Sequence, residues 1–172
     1  MAVLPIKVYP DPVLARKCAP VEKIDRDCKK LIEDMADTMF SAAGIGLAAP
    51  QVGVSRCIIV VNMSSEKEPD QYWPLINPRI VHVEGELLVE EGCLSVPKYY
   101  AEVRRAQKVK VVYQDLQGET REAEAEDLLA RVLQHEVDHL QGVLFIDHLS
   151  RLKRDLVRNR FRKKQIKNSK LS

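Results

Sequence analysis

The segment Gln134-His135-Glu136-Val137-Asp138-His139 sets two histidines four residues apart, with a glutamate directly after the first. On an α-helix, residues i and i+4 lie one above the other on one face. His135 and His139 can then offer ring nitrogens to a single ion, and Glu136 can reach a water beside it. H-E-x-x-H on a helix is a pattern of metal-assisted amide hydrolysis, with the glutamate as general base. The bland alternative is two ordinary histidines on a partly buried helix.

Two ligands hold an ion loosely, and a hydrolytic site needs a third together with one open position. Downstream, Asp147 and His148 are candidates. Upstream, Cys93 stands in Glu90-Glu91-Gly92-Cys93-Leu94-Ser95, after an apolar strand and a glycine that allows a tight bend. A thiolate suits Fe(II), Co(II), Ni(II) or Zn(II) better than Mg(II) or Ca(II). Taken alone, Cys93 reads first as a small buried hydrophobe, as do Cys18, Cys28 and Cys57. A further segment, Gly44-Ile45-Gly46-Leu47-Ala48-Ala49-Pro50-Gln51-Val52-Gly53, has glycines that permit unusual backbone shapes and one strong polar side chain, Gln51. It lacks the Lys-Ser/Thr of a phosphate loop, which argues against nucleotide binding.

Together GIGLAAPQVG at 44–53, EEGCLSVP at 90–97 and QHEVDHLQG at 134–142 resemble the peptide deformylase family, in order and in spacing. The resemblance runs over nearly all of residues 1–150. It implies a bacterial-type metallohydrolase that removes the formyl group from N-formyl-methionine at the start of newly made polypeptides, releasing formate. It implies Cys93, His135 and His139 as metal ligands and Glu136 as general acid/base. Gln51 and the backbone N–H of Leu94 would be donors to the formyl oxygen. Ile45 and Gly46 match the loop lining the substrate cleft, and Glu91 a carboxylate beside the ligands, with Arg105 as its basic partner. Val89, Leu128, Val132 and Ile45 are candidates for the methionine pocket, although core packing explains them almost as well. The implied cofactor is one divalent ion, Fe2+ first, with Ni2+, Co2+ or Zn2+ as alternatives. Two positions depart from the family pattern. Tyr100 stands where some members carry an arginine, and Arg131 where an apolar residue is common.

Several elements must position these residues. Residues 1–24, with Pro5, Pro10, Pro12 and Pro20, read as an extended, turn-rich arm. Apolar positions Leu31, Ile32, Met35, Met39 and Phe40 predict a helix over 27–43, capped by Asp27 and ended by Gly44. Strands are predicted at 56–62, 74–83 and 86–90, and a hairpin joins 108–114 to 119–126. The H-E-x-x-H helix spans 126–141 and Gly142 closes it; a last helix covers 149–164. The fold class is α+β, with antiparallel sheets packed around a central metal-binding helix and a C-terminal helix. At 172 residues the chain suits one catalytic domain, 1–172, with a basic helix or tail from about 149–172.

The four cysteines form no C-x-x-C pair and read as free thiols. With no secretory start and no apolar run of about 18 residues, a cytoplasmic protein without membrane spans is expected. Net charge is only +2, yet Arg151, Lys153, Arg154, Arg158, Arg160, Arg162, Lys163, Lys164, Lys167 and Lys170 crowd the C-terminus against Asp155 alone. Such a helix suits a polyanion, and the family resemblance suggests the ribosome. Two rival functions remain at this level: a zinc endopeptidase, and a structural metal module with four protein ligands.

Overall fold

The computed structural model describes residues 2–171, with side chains as far as Lys167. Seven strands and three α-helices follow one another: α1 (Arg26–Ser41), β1 (Gly46–Ala48), β2 (Ile58–Asn62), β3 (Tyr72–Glu84), β4 (Leu87–Cys93), β5 (Val96–Arg105), β6 (Lys108–Gln114), β7 (Thr120–Glu126), α2 (Asp127–Leu140) and α3 (Arg151–Leu171). Five strands make an antiparallel sheet in the order β1-β2-β3-β6-β7, while β4 and β5 pair as a separate hairpin.

Strand β2 shows why the sheet has helices on both faces. Its run Ile58-Ile59-Val60-Val61 is apolar at every position and buried throughout. Neighbouring strand residues point to opposite faces, so such a run is stable only when both faces are covered. Ile58 and Val60 join Ile76 in a cluster with Ile32, Met35 and Met39 of α1. Ile59 and Val61 join Leu75, Val109 and Val111 against Val132 and Leu133 of α2. The sheet is thus the middle layer, and α2 is pinned along one side of it.

The ends of α1 correct the predicted boundaries. Asp25, not Asp27, is the N-cap: its carboxylate accepts the Cys28 N–H at 2.9 Å. Asp27 lies in the first turn, where its charge still suits the helix dipole. At the other end Ala43, not Gly44, takes the left-handed conformation, with φ 53°. The arm reads as extended apart from a 3-10 turn at Pro12–Ala15. The predicted hairpin is β6 with β7, in continuous register from Lys108↔Glu126 to Gln114↔Thr120. α2 ends where Gly142, at φ 76°, turns the chain in a conformation that side chains resist.

Strands β1 and β5 have no counterpart in the predicted elements. β5 pairs with β4 from Leu87↔Arg105 to Cys93↔Val96, with an irregularity between Glu91 and Cys93. The hairpin lies over a third cluster in which Val96 and Val103 meet Leu14, Phe145, Val157 and Phe161. The last helix therefore begins as a core element. Val157 and Phe161 are buried, and Tyr9 meets Phe161 edge-on with ring centroids 5.6 Å apart.

Candidate metal centre

Helix α2 and the β4–β5 hairpin meet at the three sequence-selected ligands. The thiol of Cys93 and the imidazoles of His135 and His139 bring their ligand atoms within 4.8 Å of one another. The two Nε2 atoms are 3.3 Å apart, and Cys93 Sγ lies 3.5 Å from His139 Nε2. Among the described residues no fourth His, Cys, Asp or Glu joins this group. The downstream candidates are engaged elsewhere: Asp147 accepts the Leu144 N–H at 2.8 Å, and His148 pairs with Asp138.

The donor set fits a borderline transition-metal ion. His135 donates Nδ1–H to Glu91 Oε1 at 2.9 Å, which turns Nε2 toward the sulfur and the second ring. Burial works against a charge on His135, but the bonds to Cys93 and Glu91 outweigh it and raise its pKa to about 10. His139 goes the other way: burial, then the neighbouring His135, hold it well below the usual histidine value. One sulfur and two imidazole nitrogens are the donor set that such an ion takes.

Glu91 is the hub behind the ligands. Arg105 grips it with two bonds, Nε to Oε2 at 2.7 Å and Nη2 to Oε1 at 2.9 Å, and both side chains are buried. Burial alone would raise the Glu91 pKa; the Arg105 and His135 bonds overcome it and hold the carboxyl at about 2.

Glu136 points into the same space. Its Oε1 is 3.9 Å from His135 Nε2, and its buried Oε2 has no hydrogen-bond partner. Burial raises its pKa to about 7, in the range where a carboxyl can both take and give a proton. Gly46 of β1 permits this placement, since a Cβ on it would lie 2.9 Å from Glu136 Cγ and 3.0 Å from Val132 Cγ1.

Gln51 is buried in a 3-10 turn after β1. Its Oε1 accepts the Ala48 N–H at 2.9 Å, which fixes the amide so that Nε2 faces the site. Nε2 donates to Ser95 Oγ at 3.1 Å and lies 3.6 Å from Cys93 Sγ. Ser95 is fully buried and was not singled out in the sequence, although it stands two residues after Cys93 in the same motif.

A cleft of about 420 Å³ opens over these groups. Ile45, Gly46, Gln51, Glu91, Cys93, Leu94, Val132, His135 and Glu136 of the predicted set line it. Val89 and Leu128, the other two methionine-pocket candidates, do not. Val89 pairs across the strands with Val103 in the hairpin, and Leu128 is half-exposed in the first turn of α2. Tyr100 and Arg131, the two departures, both stand on the cleft wall, together with Lys98.

Comparisons with known proteins give the chain's relatives. A family model described as Polypeptide deformylase matches residues 3–155. A peptide deformylase of Acidobacterium capsulatum is 50% identical over 165 residues, covering 96% of this chain and 97% of its own. One of Rhizobium meliloti is 51% identical over 164 residues, covering 95% and 94%. Among solved structures, a Legionella pneumophila peptide deformylase matches with a TM-score of 0.87 at 45% identity, over 96% of this chain and 98% of that one. An Ehrlichia chaffeensis peptide deformylase in complex with actinonin matches with a TM-score of 0.88 at 41% identity, over 95% and 98%. With the family model spanning most of the chain and half of the aligned residues shared with these relatives, the chain belongs to the polypeptide deformylase family.

Proposed function

We propose that the protein hydrolyses the formyl group from N-formyl-methionine at the start of new polypeptides and releases formate. One observation carries this: three ligand atoms within 4.8 Å of one another lie beside a buried glutamate whose second oxygen is unpartnered. Cys93, His135 and His139 would hold one divalent ion, with Fe2+ the first choice and Ni2+, Co2+ or Zn2+ accepting the same donors. Such an ion supplies Lewis acidity and a strong pull on the protons of an attacking water.

The chain's own residues do the remainder. Glu136 takes the proton from the water that attacks the formyl carbon, then passes it to the leaving amine. Gln51 Nε2 and the N–H of Leu94 bind the formyl oxygen as it gains charge. Ile45 and Gly46 align the peptide, and Val132 walls the methionine side chain. Glu91, held by Arg105, keeps His135 in the tautomer that binds metal.

The test is formate release from formyl-Met-Ala, with elemental analysis of the same sample. Stoichiometric metal and formate are expected. Cleavage of internal peptide bonds without formate would support the endopeptidase instead.

A substrate carried by nascent chains supports a cytoplasmic location; separately, no helix among the described residues is long and apolar enough to cross a membrane. We also assign α3 a role in docking on the ribosome. Arg151, Lys153, Arg158, Arg160, Arg162, Lys163, Lys164 and Lys167 are exposed along it, while the Lys170 side chain lies outside the described residues. Binding through phosphates would weaken steeply with salt. Removal of everything after Ser150 is a poor test, because it also removes Val157 and Phe161 from the core. Replacing Arg158, Arg162 and Lys163 by glutamate spares those two residues; ribosome co-sedimentation equal to wild type would discard the docking role.

A further inference from the structure

Arg105 has a third bond that the catalytic reading leaves unused. Its Nη1 donates to Asp138 Oδ2 at 2.7 Å, so that all three guanidinium nitrogens are engaged. Asp138 stands on α2 between the two histidine ligands, one residue before His139. The contacts therefore form a closed ring: His135 to Glu91, Glu91 to Arg105, Arg105 to Asp138, and back along one turn of α2. The β4–β5 hairpin belongs to a different sheet from the one under α2, and this ring of charges bridges hairpin and helix beside Cys93, with the Arg131 Nη1 to Glu90 O bond further along.

The same Asp138 oxygen takes one more bond, from His148 Nε2 at 2.8 Å. That oxygen already accepts from Arg105 Nη1 at 2.7 Å, and a carboxylate oxygen accepts, so the imidazole is the donor. His148 ends the 3-10 turn Phe145–His148, whose Phe145 ring stacks on His135 with centroids 6.2 Å apart and planes 25° apart. One short turn thus holds the first ligand histidine twice, by its ring face through Phe145 and by its Nδ1 side through the chain of Asp138, Arg105 and Glu91.

We propose that His148, acting through Asp138, is a positioning residue for the metal centre. Without its bond Asp138, which is part-exposed, is free to turn toward water. Arg105 then loses its tie to α2, and Glu91 its fixed distance from His135. His148 does not touch the ion, and its Nε2 is already committed. The proposal rests on the metal reading given above.

The experiment uses Co2+-loaded wild type, His148→Ala, His148→Gln and, as a remote control, His82→Ala, whose ring pairs with the exposed Glu84. Three quantities are read: the rate of cobalt release to excess chelator, the visible cobalt–thiolate spectrum, and the Tm of the metal-free form. Loss of a direct partner of a ligand histidine weakens metal binding about 10–100-fold. For this more distant link, release about fivefold faster is expected in His148→Ala, with a shifted spectrum and an unchanged metal-free Tm. His148→Gln keeps an N–H donor and restores most of the retention; His82→Ala behaves as wild type. Wild-type release and spectrum in His148→Ala would overturn the proposal. So would a fall in metal-free Tm with no change in the spectrum, the mark of a merely structural contact. Wild-type protein that takes up no cobalt would overturn both this proposal and the metal reading beneath it.

Discussion

The α-carbon of Gly46 approaches Glu136 so closely that a single methyl group on it would lie 3.0 Å from the carboxylate oxygen Oε1 and 2.9 Å from Cγ. The glutamate is buried on α2, and Val132 Cγ1 of the same helix also lies 3.0 Å from that methyl position, so the added group has little room. Gly46→Ala is expected to keep the ion and lower kcat about 100-fold, the usual scale for an ångström of misplacement. Metal content and turnover measured on one sample decide it: near-normal kcat would mean that the glutamate has room to spare.

Glu136→Gln keeps the shape and removes the base. Retained metal and a kcat reduced at least about 100-fold are expected, the lower end for losing general acid–base catalysis. Formate assays beside elemental analysis give the answer, and appreciable turnover would remove Glu136 from the proton path.

Thiol chemistry separates Cys93 from the other three cysteines. Burial pushes the Cys18 thiol up to about 12 and raises Cys28 and Cys57 as well. A thiol with a raised pKa holds little thiolate near neutral pH and alkylates slowly. After chelation, peptide mapping of iodoacetamide-treated native protein should find Cys93, which lines the cleft, modified first. With the ion bound, the same residue should be protected. Equal labelling with and without metal would contradict its ligand role.

Phe161→Ala tests whether α3 belongs to the core. A buried phenylalanine cut to alanine costs about 3–5 kcal/mol. For a chain of this size that is a Tm lower by on the order of 10 °C. A thermal melt within about 2 °C of wild type would show that α3 only rests on the surface.

The sequence carries a feature when one local rule dominates, and hides it when two compete. Helix α2 and the β6–β7 hairpin repeat at their own periods, and the structure has them within a residue or so of the predicted bounds. Strand β5 also alternates, with Ala101, Val103 and Arg105 turned inward and Lys98, Tyr100, Glu102 and Arg104 outward. That alternation is masked because an arginine occupies a buried place and a tyrosine an exposed one. β1 has three residues, too few for any period. Leu128 lies two helical turns before His135 and still stops short of the cleft, since spacing fixes the face of a helix and not the depth of the wall beside it. Cys93 carried no signal of its own as a ligand; the family resemblance selected it. Asp138 bonds a buried arginine 33 positions away and His148 bonds Asp138 in turn, and local spacing shows neither partnership.

The hairpin's separation from the main sheet has an effect on how the protein matures. Cys93 leaves the ribosome 46 residues ahead of His139, on a strand pair that the five-stranded sheet does not hold. Ion capture must wait for the helix to be made and for the hairpin to settle against it. If Cys93, His135 and His139 hold the ion as proposed, it would act as a rivet across that long loop and favour the folded chain by mass action. A freshly synthesised copy would then tighten only after its last core elements are in place and metal is supplied.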